Sequence, residues 1–141
     1  MLKISDAANL ALHAMAALAC SKGAGQTSVN HLAEGLGVSE HHLAKVMQRL
    51  GKIGLVKSRR GPKGGFTLGR DPDTIHLIEI YEAIEGPIPE RECLLDHKVC
   101  DGSKCLMGDL IRSVDRQVRD HMQNTKLTDM GQNFLAVGEK Q

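Results

Sequence analysis

The chain has 141 residues, the span of one domain by the usual figure of roughly 100–200 residues, and its 41% hydrophobic and 25% charged content excludes wholesale disorder. Aromatic residues are only 2%, with Phe66, Tyr81 and Phe134 and no Trp, so the core is built from Leu, Ile, Val, Met and Ala, which disfavours an all-β sandwich and a single-strand nucleic-acid binder that stacks bases on rings. The net charge of +1 conceals an asymmetry: residues 1–70 carry ten Lys/Arg against three acids, a charge of +7, and residues 71–141 carry eight against fourteen, a charge of −6, as expected of a polyanion-binding half joined to something else.

Residues 1–20 have an early lysine, an apolar stretch and small residues before a cysteine, but Asp6, Asn9 and His13 interrupt the stretch, so it is not a leader peptide's apolar region. A helix with one polar face is expected instead. No run reaches the roughly 18 apolar residues of a membrane span, and the protein is expected to be cytoplasmic with no membrane partner. Cysteines in that compartment are reduced and suit metal ligation better than disulfides.

Ser5 is placed to cap a first helix from about Asp6 to Ser21, with Leu10, Ala14, Ala17 and Leu18 at helical spacing and Cys20 on its apolar side; Lys22-Gly23-Ala24-Gly25 ends it. Ser28 opens a second helix from Val29 to about Glu34. A tight turn follows, in which Gly37 can take the left-handed conformation. Ser39 caps a third helix from Glu40 to about Lys52, stopped by Gly54. Leu55 to Ser58 reads as a strand, Arg59-Arg60-Gly61-Pro62-Lys63-Gly64-Gly65 as a turn, and Phe66-Thr67-Leu68 as the return strand.

A fourth helix is expected from Asp73 or Thr74, with Ile75, Ile78, Ile80, Tyr81 and Ile84 as its apolar residues and Gly86-Pro87 after it. Residues 87–105 form a loop with three cysteines. The last helix runs from about Leu106 to Asn124, with Met107, Ile111, Val114, Val118 and Met122 on one stripe, flanked by Arg112, Asp115, Arg116, Arg119 and Asp120. So narrow a stripe predicts pairing with the same helix of a second subunit; the alternative is packing onto its own domain.

A helix, a glycine-containing turn, a capped helix and a basic two-stranded hairpin, in that order, predict a winged helix-turn-helix that binds double-stranded DNA. The fold expected is mainly α with a small β-hairpin wing, plus a long C-terminal dimerisation helix. Val38, Leu43, Val46, Met47 and Leu50 form the inward face of the third helix. Its outward face offers Ser39, Glu40, His41, His42, Lys45, Gln48 and Arg49, the first of these to base edges and the later ones to phosphates. Lys57, Arg59, Arg60 and Lys63 sit among the hairpin glycines, where arginine suits the narrow minor groove. The glycine-rich turn matches neither spacing of a nucleotide-phosphate loop. No Ser/His/Asp set or paired carboxylates stand in a recognisable motif, so no enzyme is expected.

Cys93, Cys100 and Cys105 follow a C-x6-C-x4-C spacing. Thiolates are soft ligands suited to iron–sulfur clusters, zinc or copper(I). The spacing lacks the C-x2-C pair of a zinc ribbon and is loose enough to wrap a larger inorganic core, with two irons and two sulfides or four of each. A zinc site of these three cysteines with His97, and metal-free thiol redox chemistry, are the alternatives. The domains expected are residues 1–86 for DNA binding, 87–105 as a cluster-binding loop, 106–126 as the dimerisation helix and 127–141 as a tail.

The runs Asn9-Leu-Ala-Leu-His-Ala-Met15, Gly37-Val-Ser-Glu-His-His-Leu-Ala-Lys-Val46, Leu50-Gly-Lys-Ile-Gly-Leu-Val56, Arg60-Gly-Pro-Lys-Gly-Gly-Phe-Thr-Leu-Gly69, Ile75-His-Leu-Ile-Glu-Ile80 and Ala83-Ile-Glu-Gly86, with the three loop cysteines, carry a resemblance over about residues 1–125. The chain resembles the bacterial winged-helix iron–sulfur regulators of the IscR/NsrR/RirA family. The resemblance implies a homodimer crossed through the long helix, a cluster near the dimer interface on Cys93, Cys100 and Cys105, and repression or activation of promoters, with a repressor expected, tuned by the state of that cluster. Two positions depart from the family. Gly108 stands where the cluster regulators have a histidine three residues after the third cysteine. Asn9 stands where the nitric oxide sensors have an aspartate on the partner's first helix. The fourth ligand is therefore unassigned, with His13, His97, Asn9 and an exogenous molecule as candidates. Iron so ligated is open to nitric oxide or oxygen, and the signal expected is nitric oxide, redox state or iron and cluster status.

Overall fold

The first three helices each begin where a serine hydroxyl can accept an otherwise orphaned backbone N–H. Ser5 Oγ accepts from Ala8 at 3.1 Å, Ser28 Oγ from His31 at 3.1 Å and Ser39 Oγ from His42 at 3.3 Å. The resulting elements in the computed structural model, which describes residues 3–21 and 25–130, are α1 (Asp6–Cys20), α2 (Val29–Leu36), α3 (Glu40–Lys52), β1 (Val56–Arg59), β2 (Gly65–Leu68), a 3-10 turn at Pro72–Thr74, α4 (Leu77–Glu85), α5 (Leu110–Asn124) and a second 3-10 turn at Leu127–Met130. The fold is a mainly helical winged helix, as expected. Between α2 and α3, Gly37 adopts φ 67°, and the N–H groups of Gly37 and Val38 close the turn onto Glu34 and Ala33.

The core gathers around α1. Its Ala8, Ala11, Ala14 and Ala17 are buried, and side chains this small let α3, α4 and α2 approach it closely on several sides. Met15, Leu32, Leu43, Met47, Leu50, Leu55, Ile75 and Ile80 fill the space between them. Among the described residues no helix is long and apolar enough to cross a membrane.

Strands β1 and β2 pair antiparallel, with Val56 opposite Leu68 and Arg59 opposite Gly65. A two-stranded ribbon is marginal alone, and here Thr27 extends it: Thr27 N–H donates to Phe66 at 3.0 Å and Phe66 N–H to Thr27 at 2.8 Å. Gly65 makes this approach possible, because a Cβ there would lie 2.5 Å from the Thr27 carbonyl oxygen.

Two helix starts and one buried position differ from the sequence expectation. Helix α4 begins at Leu77 rather than Asp73 or Thr74, because residues 75–77 are extended and pair with residues 125–127: Leu77 N–H donates to Thr125 at 3.0 Å and Leu127 N–H to Ile75 at 2.9 Å. Helix α5 begins at Leu110 rather than Leu106, since Gly108 at φ 55° turns the chain and leaves Met107 outside the helix. On α5, Asp115 is buried with Ile111 and Met122 rather than flanking them. The helix packs against α4 of its own chain, and Leu127 beyond it is buried in the same core. The expected helix stop at residues 22–24 and the tail at 131–141 lie outside the described residues.

Candidate nucleic-acid interface and cysteine loop

Burial of Leu43, Val46, Met47 and Leu50 settles which way α3 faces. Ser39, Glu40, His41, His42, Lys45, Gln48 and Arg49 are all exposed on its other side. Besides Ser39, whose hydroxyl caps the helix, two of them are engaged within the chain. Glu40 Oε2 accepts from Asn30 Nδ2 at 3.1 Å, which joins α2 to the start of α3. Arg49 Nη2 donates to the carbonyl of Ile84 in α4.

The wing adds Lys57, Arg59, Arg60 and Lys63, all exposed. Among the described residues every ion pair lies between residues 70 and 126. Several of the cations there are matched: Arg70 with Glu79, Lys98 with Glu92 at 3.1 Å, Arg112 with Glu92 at 3.1 Å and Lys126 with Asp73 at 3.6 Å. Lys45 on α3 and the four wing cations have no acidic partner among the described residues. A field of unneutralised cations on one face is what a polyanion compensates.

Residues 86–109, between α4 and α5, have no helix or strand. Buried Ile88 anchors their start, and its carbonyl accepts from Arg119 Nη2 of α5 at 2.9 Å. Cys93 is half-buried and its Sγ accepts from the Leu95 N–H at 3.4 Å. Cys100 is exposed, Cys105 half-buried, and no disulfide joins any of the four cysteines. The hydrogen bond and charge of Lys98, with the charge of Arg112, hold the Glu92 carboxyl below its ordinary range. Asp101 is lowered in the same way by the hydroxyl and backbone N–H of Ser103.

Among the described residues no group of three or more His, Cys, Asp or Glu is gathered to hold a metal ion. The three loop cysteines therefore share a segment without converging, and His13 and His97 do not complete a set with them. His13 Nδ1 meets the Asn9 carbonyl at 2.8 Å on the exposed side of α1, and His97 is exposed on the loop. Cys20 is half-buried on α1. The donor chemistry of Cys93, Cys100 and Cys105 still fits a soft metal group: three thiols outside disulfides on a segment without regular structure can close around it, and metal ligands commonly assemble only on binding.

Sequence reasoning missed the two arginine–carbonyl ties, the Thr27 bridge and the buried carboxylate of Asp115. Only Asp115 left a local trace, since it stands four residues after Ile111 and seven before Met122, on the register of the buried face.

A family model described as Rrf2, iron-dependent transcriptional regulator, matches residues 4–133. The HTH-type transcriptional regulator CymR of Bacillus subtilis (strain 168) is 40% identical over 97 residues, covering 69% of this chain and 70% of CymR. The HTH-type transcriptional regulator IscR of Citrobacter koseri is 29% identical over 142 residues, covering 99% of this chain and 87% of IscR. Among solved structures, that of CymR (YrzC), the global cysteine regulator of B. subtilis, is similar with a TM-score of 0.77 and 35% identity, over 92% of this chain and 96% of the other.

Proposed function

The chain belongs to the Rrf2 family of transcriptional regulators, and from that premise we propose that it is a homodimeric repressor whose grip on promoter DNA depends on the state of Cys93, Cys100 and Cys105. The observation that carries the DNA-binding part is the row of unpaired cations along α3 and the wing, set against the ion pairs found between residues 70 and 126. Ser39, Glu40, His41 and His42 at the start of α3 reach base edges in the major groove, Lys45 and Gln48 follow along the phosphates, and Arg59, Arg60 and Lys63 hold the flanking backbone or minor groove. Arg49 sets the angle of the helix through Ile84. Pairing of α5 with its copy gives two reading heads on a two-fold operator, and exposed Leu110 at the start of α5, with exposed Leu106 in the turn before it, favours such a contact.

Cys93, Cys100 and Cys105 would hold an iron–sulfur cluster, with the fourth ligand supplied by His13, His97, Asn9 or an exogenous molecule. Such a cluster, when bound, supplies iron chemistry that responds to nitric oxide, oxygen and iron supply. The protein's own part is mechanical. Arg49 ties α3 to the end of α4 at Ile84, and Arg119 ties α5 to Ile88. A loop that changes shape just beyond these two points shifts the population of reading-head orientations and with it the fit to DNA.

A metal-free thiol switch on the same cysteines is favoured by the absence of a gathered metal set among the described residues and by the similarity to a global cysteine regulator. Anaerobic purification followed by visible absorption, iron analysis and footprinting separates the two. A coloured, iron-containing protein whose footprint changes on iron loss supports the cluster. A colourless, iron-free protein whose footprint changes on thiol alkylation supports the thiol switch. A footprint indifferent to both treatments overturns control by these cysteines.

A further inference from the structure

Glu40 is the single acid between residues 35 and 70, a stretch that carries eight Lys/Arg. It is the first residue of α3, directly after the Ser39 cap. It is exposed, at the end of the helix that meets base edges in a helix-turn-helix. A carboxylate there repels every phosphate it approaches. An acid at a helix start also complements the helix dipole, but that effect needs only its charge and not a fixed position.

The position is fixed from outside the helix. Asn30, the second residue of α2, donates from Nδ2 to Glu40 Oε2 at 3.1 Å. The bond bridges the turn at Gly37 and restricts rotation of the carboxyl group. Glu40 Oε1 has no hydrogen-bond or ion-pair partner among the described residues. Asn30 therefore takes up one oxygen and leaves the other as an acceptor at the head of the exposed face of α3.

We infer that Glu40 reads a cytosine in each operator half-site, its Oε1 accepting from the N4 amino group in the major groove, and that Asn30 is its positioning residue. This rests on the reading of α3 as the helix that meets base edges. Guanine offers acceptors on its major-groove edge, thymine an acceptor and a methyl group, and adenine an acceptor beside its amino group. Cytosine alone offers a donor and no acceptor of its own, which is what a carboxylate oxygen requires. Glu40 also works by exclusion. Opposite any of the other three bases its charge is desolvated against an acceptor or a methyl group, and that complex is weakened. An acid that lowers attraction to DNA in general thus raises the contrast between one sequence and the rest.

Binding selection from a pool of random DNA duplexes, with the full-length protein purified anaerobically, gives the operator, and titrations then compare it with single base-pair changes. Cytosine is expected at one fixed position in each half-site. Glu40→Ala should reduce the preference for cytosine there roughly tenfold. The same variant should bind random-sequence DNA at least as tightly as the wild type, because a charge that repels phosphate is gone. Asn30→Ala should lose a smaller part of the same preference, and nothing further when combined with Glu40→Ala. Preferences at the other positions should hold in all three variants. Both side chains are exposed, and a preference lost at one position but kept at the others reads the contact even in a variant of lower stability. The inference is overturned if selection with Glu40→Ala returns the wild-type sequence, or if the position that Glu40 controls is not a cytosine. It is also overturned if Asn30→Ala weakens all sequences equally, which would make Asn30 a phosphate contact. These outcomes leave the regulatory proposal standing, whereas a protein that selects no sequence at all overturns its DNA-reading part and this inference together.

Discussion

Arg49 on the exposed side of α3 donates its guanidinium to the carbonyl of Ile84 in the last turn of α4. The final carbonyls of a helix lack intrahelical partners, and a cation placed there also meets the negative end of the helix dipole. Four residues on, Arg119 of α5 holds the Ile88 carbonyl. The chain on either side of Gly86-Pro87 is thus clamped to the reading helix on one side and to the long helix on the other.

Replacing Arg49 by Met is expected to lower stability by about 1–3 kcal/mol, the worth of a charged hydrogen bond, read as an earlier thermal midpoint. The slope of DNA affinity against salt should keep its value, because the guanidinium is engaged with protein. A slope smaller by roughly one would mean that Arg49 neutralises a phosphate in the complex.

For the wing the opposite split is expected. Arg59→Ala and Arg60→Ala touch no ion pair among the described residues and should leave the thermal midpoint almost unchanged. Each should reduce the salt slope of DNA binding by roughly one for every phosphate that the arginine neutralises. Binding titrations at several salt concentrations check this, and an unchanged slope would remove the hairpin from the interface.

Gly65→Ala should damage the wing without dissolving the helical core. The new Cβ would meet the Thr27 carbonyl at 2.5 Å, so the bridge between Thr27 and Phe66 must open, at a cost of about 1–3 kcal/mol. Amide exchange at Thr27 and Phe66 should accelerate while amides inside α1 and α3 stay protected, and DNA affinity should fall with the loosened hairpin.

Cys100 is exposed, and Cys100→Ala should cost less than about 0.5 kcal/mol in the metal-free protein. In anaerobically prepared protein the same change should abolish iron content and visible absorption if the cluster reading holds. A zinc-stabilised loop would behave differently, with chelation unfolding the protein rather than only altering its hold on DNA.

Acid should loosen the start of α4. Burial pushes the Glu79 carboxyl up, but hydrogen bonds from the Arg70 guanidinium and the His76 N–H, with the charge of Arg70, outweigh it and hold the group below its ordinary value of 4.5. A folded-state value lowered in this way contributes stability in full above the unfolded value and loses it as pH falls through the folded one. The thermal midpoint should therefore drop as pH is lowered below about 4.5, the unfolded value for this carboxyl, and Glu79→Gln should flatten that part of the profile.

The caps at Ser5, Ser28 and Ser39, the turn at Gly37, the basic hairpin and the split of charge between the two halves were all legible in the order of residues. Each depends on groups within about four positions of one another, or on composition, so short-range chemistry suffices to reveal it. Three features required the folded chain: the pairing of residues 75–77 with residues 125–127, the seat of Thr27 against Phe66, and the burial of Asp115. The separation of the cysteines from any shared metal set among the described residues required it too. These arise where segments far apart in the chain compete for the same backbone partners and the same core volume, and hydrophobic spacing within one segment carries no record of which distant segment arrives. Local chemistry determined the helices, the wing and the sign of the surface; long-range packing decided where α4 starts, that Asp115 joins the buried face of α5 and that its carboxylate is left without a partner among the described residues.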